Sequence, residues 1–144
     1  YLLSGKFPGF KTHIAIILAL DPEYSIIGLE VMEHEEDPGL GAEIEQDYFK
    51  NQFKHKPFEK IKTIEVVKAP LPSEYFDALE GQVEEDAAVE VMKNYSDQDI
   101  YALTGATISS AAVSTGVKGM TKKFAYRLDI LDKVLKEQQI AVPF

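Results

Sequence analysis

A single apolar stripe in the last third of the chain constrains the fold more than any other feature. Apolar residues recur there at intervals of three or four: Val113, Val117, Met120, Phe124, Leu128, Leu131 and Leu135. This period is typical of one face of an amphipathic helix. We therefore expect a long helix to dominate the C-terminal third, with an interruption near Gly119.

Two runs rich in β-branched residues come earlier in the chain. Residues 12–20 and 25–34 are separated by a short polar segment, which predicts a β-hairpin. The following residues, 35–41, contain one proline and two glycines, which prevent regular structure and allow backbone angles closed to other residues. This segment, which ends in the sequence PGLG, is predicted to be a shaped loop.

The remaining elements are predicted from weaker patterns. They are a short helix over 42–53, a strand over 61–69, a helical turn over 74–79, a strand over 88–93 and a short apolar segment over 100–103. Together the elements predict an α+β fold: a mainly antiparallel twisted sheet, a short helix after the PGLG loop and a long C-terminal helical region. At 144 residues, the chain is predicted to form a single domain over 1–144.

Composition excludes several function classes. Lysine and arginine number 15 against 24 acidic residues, so most of the surface would repel nucleic acid. The absence of cysteine excludes disulfides, thiolate metal sites and iron–sulfur ligation, so any redox chemistry needs a bound cofactor. The longest apolar run, residues 14–20, is far short of the roughly 20 residues of a membrane helix. Because the chain begins at Tyr1, we expect an upstream anchor or signal to have been removed.

No metal site and no catalytic acid–base pair are predicted. The three histidines have no ligand spacing, and the acidic run 84–86 is typical of a solvated face. Neither Ser109 nor Ser110 lies in a nucleophile elbow. One aromatic group could form a quinone or partner surface, but its helical spacing favours core packing; it comprises Tyr48, Phe49, Phe53 and Phe58.

The segment 104–110, TGATISS, lies between the short apolar segment and the long helix. A helix N-terminus offers unpaired N–H groups and a positive dipole end, which suit a phosphate. Gly105 leaves room for a bulky ligand, and four hydroxyls could bond phosphate oxygens: those of Thr104, Thr107, Ser109 and Ser110. The alternative is a plain helix cap with tight packing, and the residues alone favour that alternative.

This segment closely resembles the Ser/Thr-Gly-Ala-Thr signature of the FMN-binding domain family, found in the G subunit of Rnf complexes and the C subunit of sodium-translocating NADH:quinone reductase. In that family the final threonine carries FMN through a phosphoester, which implies covalent attachment at Thr107. The resemblance also makes the surrounding residues of the turn cofactor-binding candidates: Thr104, Gly105, Ala106, Ile108 and Ser109.

A second motif strengthens the resemblance. Residues 34–41, HEEDPGLG, match the family's His-x-Glu-Thr-Pro-Gly-Leu-Gly with one change, Asp37 for threonine. The resemblance implies that this loop packs against the flavin ring, with Leu40 as an apolar contact and Glu36 and Asp37 as polar neighbours. It covers nearly the whole chain and is greatest for the Rnf G subunit.

Two positions depart from the family pattern. The signature usually has an acidic residue three positions before its first hydroxyl, where this chain has Tyr101; Asp97 and Asp99 are out of register. If the flavin transferase needs that carboxylate, attachment would be inefficient. At the other position, a negative charge on Asp37 beside a ring that becomes anionic on reduction would lower the reduction potential.

The resemblance implies a redox subunit of an ion-translocating complex that moves electrons between ferredoxin and NAD, rather than a stand-alone enzyme. It further implies partner subunits, maturation by a flavin transferase, one N-terminal membrane helix and a location on the outer, periplasmic face of the cytoplasmic membrane. Two rivals stay open: a flavin-free structural or interaction module, and a free-standing extracellular flavoprotein for electron export.

Overall fold

A three-stranded antiparallel sheet and one long helix form the body of the protein in the computed structural model, which describes residues 1–138. The sheet has the order β1–β2–β3, with β1 at Leu2–Pro8, β2 at His13–Leu20 and β3 at Ile26–Glu33. The helix, α5, runs over Thr107–Glu137. The predicted α+β fold with a mainly antiparallel sheet is confirmed, and the last six residues of the predicted domain, 139–144, lie outside the described residues.

The predicted hairpin is β2 and β3, and β1 extends it on the other edge. Strand β1 pairs with β2 from Leu2 opposite Ala19 to Pro8 opposite His13. Alternate residues of β2 point into the core and are at most 1% exposed: Ile14, Ile16, Leu18 and Leu20. This period-two burial is what a sheet with one face covered requires, and α5 contributes to the cover.

Helix α5 crosses this sheet face with its apolar stripe inward. Val113 and Val117 are fully buried, and Phe124 packs against the rings of Tyr1 and Tyr24. The expected interruption near Gly119 is wrong, because the helix is continuous and a single glycine costs only about 1 kcal/mol in a helix.

The inward stripe is incomplete at the C-terminal end of α5. Leu131 is 42% exposed, although its position in the sequence period predicted burial. The 31 residues of α5 span about 46 Å at 1.5 Å per residue, whereas eight-residue strands span about 26 Å. The helix is therefore longer than the sheet that covers its first turns, and its last turns extend past the sheet.

Short helical pieces connect β3 to the second half of the fold. The predicted helix over 42–53 is a 3-10 turn at Gly41–Glu45, α1 at Asp47–Lys50 and a 3-10 turn at Asn51–Phe53, interrupted because Gln46 has extended backbone angles. The buried side chains of Phe49 and Phe53 confirm the core interpretation of those two aromatics.

The predicted strand over 61–69 is mostly wrong. Helix α2 occupies Phe58–Ile61, and only Val66–Val67 forms a strand, β4. Strand β4 pairs in parallel with β5, Ile100–Tyr101, which is the short apolar segment of the sequence. The sequence pattern contained no sign of this parallel pair.

Two helices and a second apolar cluster precede β5. Helix α3, Ser73–Leu79, matches the predicted turn, whereas the predicted strand over 88–93 is wrong, since α4 covers Glu85–Asn94. The apparent alternation also fits a helix: Ala88 and Met92, four residues apart, are the buried pair that packs on α3. Acidic residues in the first turn of α4 interact favourably with the positive end of the helix dipole.

No helix among residues 1–138 has both the length and the apolar content needed to cross a bilayer. The same residues contain no group of three or more histidine, aspartate or glutamate side chains arranged to hold a metal ion.

Two glycines of α5 provide a matched test of how closely the helix meets β1. A methyl group on Gly116 would lie 2.3 Å from the ring of Phe7, whereas one on Gly119 would meet nothing within 4 Å. We expect Gly116→Ala to lower the free energy of unfolding by about 1–3 kcal/mol through overpacking, and Gly119→Ala to raise it by about 0.5–1 kcal/mol through helix propensity. Urea unfolding of both variants measures the difference, and equal effects would contradict this packing.

Candidate functional site

Two tight turns face each other at the N-terminus of α5. Leu40 N–H donates to Asp37 O (3.1 Å) across a turn with Gly39 at φ +75°, and Ala106 N–H donates to Leu103 O (3.1 Å) across a turn with Gly105 at φ +74°. Positive φ at the third turn position favours glycine. A methyl group on Gly105 would lie 3.2 Å from Leu40 Cδ2, so the predicted ring-contact loop and the predicted attachment turn touch.

The buried carboxylate of Glu36 holds these turns in place. Its oxygens accept the N–H groups of Phe10 and Lys11 (both 3.0 Å) and the hydroxyl of Ser109 (2.7 Å). One side chain thus joins the β1–β2 turn, the PGLG loop and the first turn of α5. Burial alone would raise the pKa of Glu36, but the three donors outweigh it and lower the pKa below its ordinary value.

His34, first residue of the second motif, supports the same carboxylate. Its Nδ1 accepts the Glu36 N–H (3.0 Å), and its Nε2 lies 2.7 Å from a carboxylate oxygen of Glu45. Because Nδ1 is an acceptor, Nε2 carries the proton and donates to Glu45. The histidine therefore orients the loop.

Serine hydroxyls at the start of α5 are used by the protein itself. Ser109 donates to Glu36, and Ser110 Oγ donates to Ala106 O (2.9 Å) while accepting Leu103 N–H (2.9 Å). The sequence predicted both serines as phosphate partners, but each hydroxyl proton is donated to an acceptor within the protein. The Thr107 hydroxyl, by contrast, makes no hydrogen bond to any of residues 1–138.

Thr107 lies between two cavities. The Leu40 cavity, of about 380 Å³, is lined by Phe10, Asp37, Leu40, Gly41, Gly105, Ala106, Thr107, Ile108 and Ser109. The Lys68 cavity, of about 540 Å³, is lined by Lys68, Ala69, Pro70, Ala102, Leu103, Thr104, Gly105 and Thr107. Both volumes fall within the range of about 300–1,000 Å³ typical of small-molecule sites.

The backbone at this point is arranged to receive an anion. The first intrahelical bond of α5 runs from Ser110 N–H to Ala106 O (3.1 Å), so the N–H groups of Thr107, Ile108 and Ser109 precede it. Such N–H groups and the helix dipole favour negative charge. The glycine at 105 and the half-buried Thr107 leave this N-terminus open to both cavities.

Asp37 lies on the rim of the Leu40 cavity, where its carboxylate is 42% exposed and 3.0 Å from Lys11 Nζ. The structure therefore brings together all the predicted cofactor-binding residues except Glu36 as lining of the two cavities. Glu36 lies behind the wall of the Leu40 cavity, with its oxygens fully engaged by protein donors.

Two functional supports escaped the sequence interpretation. Gln52 is buried and bonds both backbone groups of Tyr101, accepting its N–H (2.8 Å) and donating to its carbonyl (3.2 Å). Lys56 is fully buried and donates to Tyr95 O (2.9 Å) and Gln98 O (2.7 Å), and burial lowers the pKa of its ammonium to about 8. These two side chains fix β5 and so position the turn that follows it. A lysine and a glutamine inside a polar stretch give no sign in the sequence that they are buried and hold a strand.

Tyr101, the departure from the family pattern, belongs to the second apolar cluster. Its ring lies 6.2 Å from that of Tyr75 in an edge-on arrangement. Asp99 does not replace the missing acid near Thr107, because its carboxylate accepts Glu65 N–H (3.1 Å) and pairs with Lys60 (2.7 Å).

Comparison with known proteins agrees with this geometry. A family model described as FMN-binding domain matches residues 9–122. This chain belongs to the FMN-binding domain family. The match runs from the β1–β2 turn through both motifs into α5, and it supports FMN as the ligand.

One relative is the G subunit of a proton-translocating ferredoxin:NAD(+) oxidoreductase complex from Clostridium ljungdahlii. It is 30% identical over 118 residues, which are 82% of this chain and 49% of that protein. The chain thus spans about half the length of this curated relative, and the resemblance to the Rnf G subunit is confirmed.

Two solved structures have the same fold. NqrC of Shewanella oneidensis superposes with a TM-score of 0.57 at 21% identity, over 81% of this chain and 46% of that one. The C subunit of the Na(+)-translocating NADH-quinone reductase from Parabacteroides distasonis also has a TM-score of 0.57, at 24% identity over 83% and 52%.

Glu36 provides a pH-dependent test of the site's frame. We expect Glu36→Gln to lower the free energy of unfolding at pH 7 by about 1.5–3 kcal/mol, because it weakens charge-assisted hydrogen bonds. Since the folded-state pKa is below the ordinary value near 4.3, the carboxylate's contribution is present above about pH 5 and is lost as the pH falls through the folded-state pKa. The variant's deficit in urea unfolding should shrink accordingly, and a deficit independent of pH would contradict the assignment.

Proposed function

We propose that this chain carries FMN covalently through a phosphoester at Thr107 and relays electrons within a membrane-bound complex of the Rnf type. The observation that carries the proposal is the position of the Thr107 hydroxyl. It is free of hydrogen bonds to residues 1–138 and stands in the first turn of α5, on a residue that lines two cavities beside Gly105.

The residues present fit such a group. A phosphate on Thr107 Oγ1 would lie beside the unpaired N–H groups of the first helical turn, with Thr104, Gly105, Ala106 and Ile108 around it. Leu40, 45% exposed, offers an apolar surface for the flavin ring. Asp37 is a polar neighbour at the rim, and Glu36 acts through Ser109 and the loops that it holds.

FMN, when bound, supplies reversible one- or two-electron oxidation and reduction. The chain's own part is to place the ring and to set the charge around it. A covalent link makes retention independent of affinity and leaves the ring free to face other redox partners. No acid–base pair is needed for this task.

The resemblance to the Rnf G subunit supports further proposals about the intact protein. We propose that it works beside partner subunits in electron transfer between ferredoxin and NAD coupled to ion transport. Attachment would be made by a flavin transferase. We also propose a single membrane helix N-terminal to this domain, which would lie on the outer face of the cytoplasmic membrane.

Intact mass spectrometry tests the attachment site. When the chain is produced together with a flavin transferase, we expect it to gain the mass of one FMN less water and to run as an ultraviolet-fluorescent band in denaturing electrophoresis. Thr107→Ala should abolish both signals. Thr104→Ala is the matched control, since it removes a hydroxyl from the same turn and should leave the attachment intact.

Other outcomes identify the rivals. A wild-type chain that gains no mass beside an active transferase would favour the flavin-free module, in which Tyr101 has replaced the usual acid. A flavin lost with Thr104→Ala and kept with Thr107→Ala would contradict the assignment of the oxygen. A chain loaded at Thr107 but free of partner subunits in its native membrane would favour the extracellular flavoprotein.

Asp37 tests the electrostatics of the loaded domain. We expect Asp37→Asn to raise the midpoint potential, because a negative charge disfavours a ring that becomes anionic on reduction. Exposure and the ion pair with Lys11 limit the change to less than about 1 kcal/mol per electron. Redox titration against Glu35→Gln, a neighbouring exposed acid outside the cavity lining, measures it, and a fall in potential would contradict the assigned sign.

A further inference from the structure

We propose that the ammonium group of Lys68 binds the phosphate of the flavin at Thr107, so that this phosphate occupies the Lys68 cavity. The inference rests on the proposed function and adds a residue that neither sequence motif contains. It follows from the topology of the parallel strands, the charge in the two cavities and the ion pairs of the neighbouring lysines.

The parallel pair β4–β5 brings Lys68 to the attachment turn. Ile100 N–H donates to Glu65 O (3.0 Å) and Ala102 N–H donates to Val67 O (2.9 Å), which fixes the register of the two strands. Parallel strands end at the same edge of a sheet, and ligands of such sheets bind beyond that edge. Lys68 follows β4 there, as Thr104 follows β5.

The two cavities that Thr107 lines differ in the charge of their lining residues. Lys68 is the one charged residue among those that line the Lys68 cavity. In the Leu40 cavity the one charged lining residue is Asp37, an acid. The chain has nine more acidic than basic residues, so most of its surface repels a phosphate. Because the Lys68 cavity has a cation and no acid in its lining, it is the more favourable of the two cavities for a phosphate.

The ammonium of Lys68 is also free to act. Nearby lysines are engaged: Lys60 with Asp99 (2.7 Å), Lys62 with Glu59 (2.9 Å) and Lys118 with Glu65 (3.7 Å). Within residues 1–138, no carboxylate oxygen lies within 4.0 Å of Lys68 Nζ. A cation at the mouth of a helix N-terminus adds a mobile charge to the fixed N–H groups, as lysines do in other phosphate sites.

Binding of free flavins separates phosphate contact from ring contact. In a Thr107→Ala background, where no ester can form, FMN and riboflavin are titrated against Lys68, Lys68→Gln and Lys68→Arg proteins. We expect Lys68→Gln to weaken FMN binding about tenfold, or about 1.4 kcal/mol, with riboflavin binding unchanged. Lys68→Arg should retain most of the affinity for FMN. The difference should shrink near 1 M salt, where the screening length is about 3 Å.

Lys93→Gln is the matched control, because Lys93 is exposed on α4 and absent from the lining of both cavities. It removes the same charge and should leave FMN binding unchanged. An equal loss with Lys93→Gln would mean that net charge, and not this side chain, attracts FMN, and it would overturn the proposal. So would an equal loss of FMN and riboflavin affinity with Lys68→Gln, or no loss of either.

The wild-type chain with the transferase separates this inference from the proposed function. If wild type gains the FMN mass while Lys68→Gln leaves FMN affinity unchanged, or while the Thr107→Ala protein binds no FMN, only the assignment of Lys68 fails. If wild type gains no mass, the proposed function fails and the role of Lys68 fails with it.

Discussion

The candidate site depends on one buried carboxylate. Glu36 accepts three hydrogen bonds from two segments, the β1–β2 turn and the first turn of α5, while its own backbone belongs to the loop held by His34. A buried carboxylate without donors would be costly, so each donor has to be in place when the chain folds. The close fit of Gly41, where a methyl group would lie 2.5 Å from Ser109 Oγ, follows from this convergence.

The two apolar clusters together position Thr107. The main cluster, between the sheet and α5, fixes the helix and therefore the direction of its first turn. The second cluster, around α3 and α4, holds β5 through Tyr101, with Gln52 bonded to the same strand. The attachment turn connects β5 to α5, so its shape is set from both ends. A flavin there would be held by a rigid frame, which is what charge tuning of a cofactor requires.

Tyr101, where the family pattern has an acid, helps the second cluster to hold β5. In this chain the position is occupied by an aromatic ring that packs into the second cluster, and the neighbouring Asp99 bonds to Lys60 and to the backbone of Glu65. The negative charges near the turn are therefore the Glu36 carboxylate, which is bonded to Ser109, and Asp37 at the rim, which faces Lys11. The N–H groups and dipole at the start of α5 favour an anion there although the whole chain is acidic.

Local pattern was sufficient for the hairpin, the long helix and the two motif turns, because period, turn chemistry and helix start signals are properties of neighbouring residues. Local pattern was insufficient over 88–93, because the apolar residues there fit both the period of a strand and the period of a helix. Packing against α3 decides in favour of the helix. Local pattern could not reveal that Leu131 extends past the sheet, since that depends on the relative lengths of two elements. The hydrogen bond of Ser109 to Glu36, 73 residues apart, and the presence of Lys68 and Thr107 in the lining of one cavity were decided by the tertiary structure alone, because hydrogen bonds and charges act through space and leave no periodic trace in the sequence.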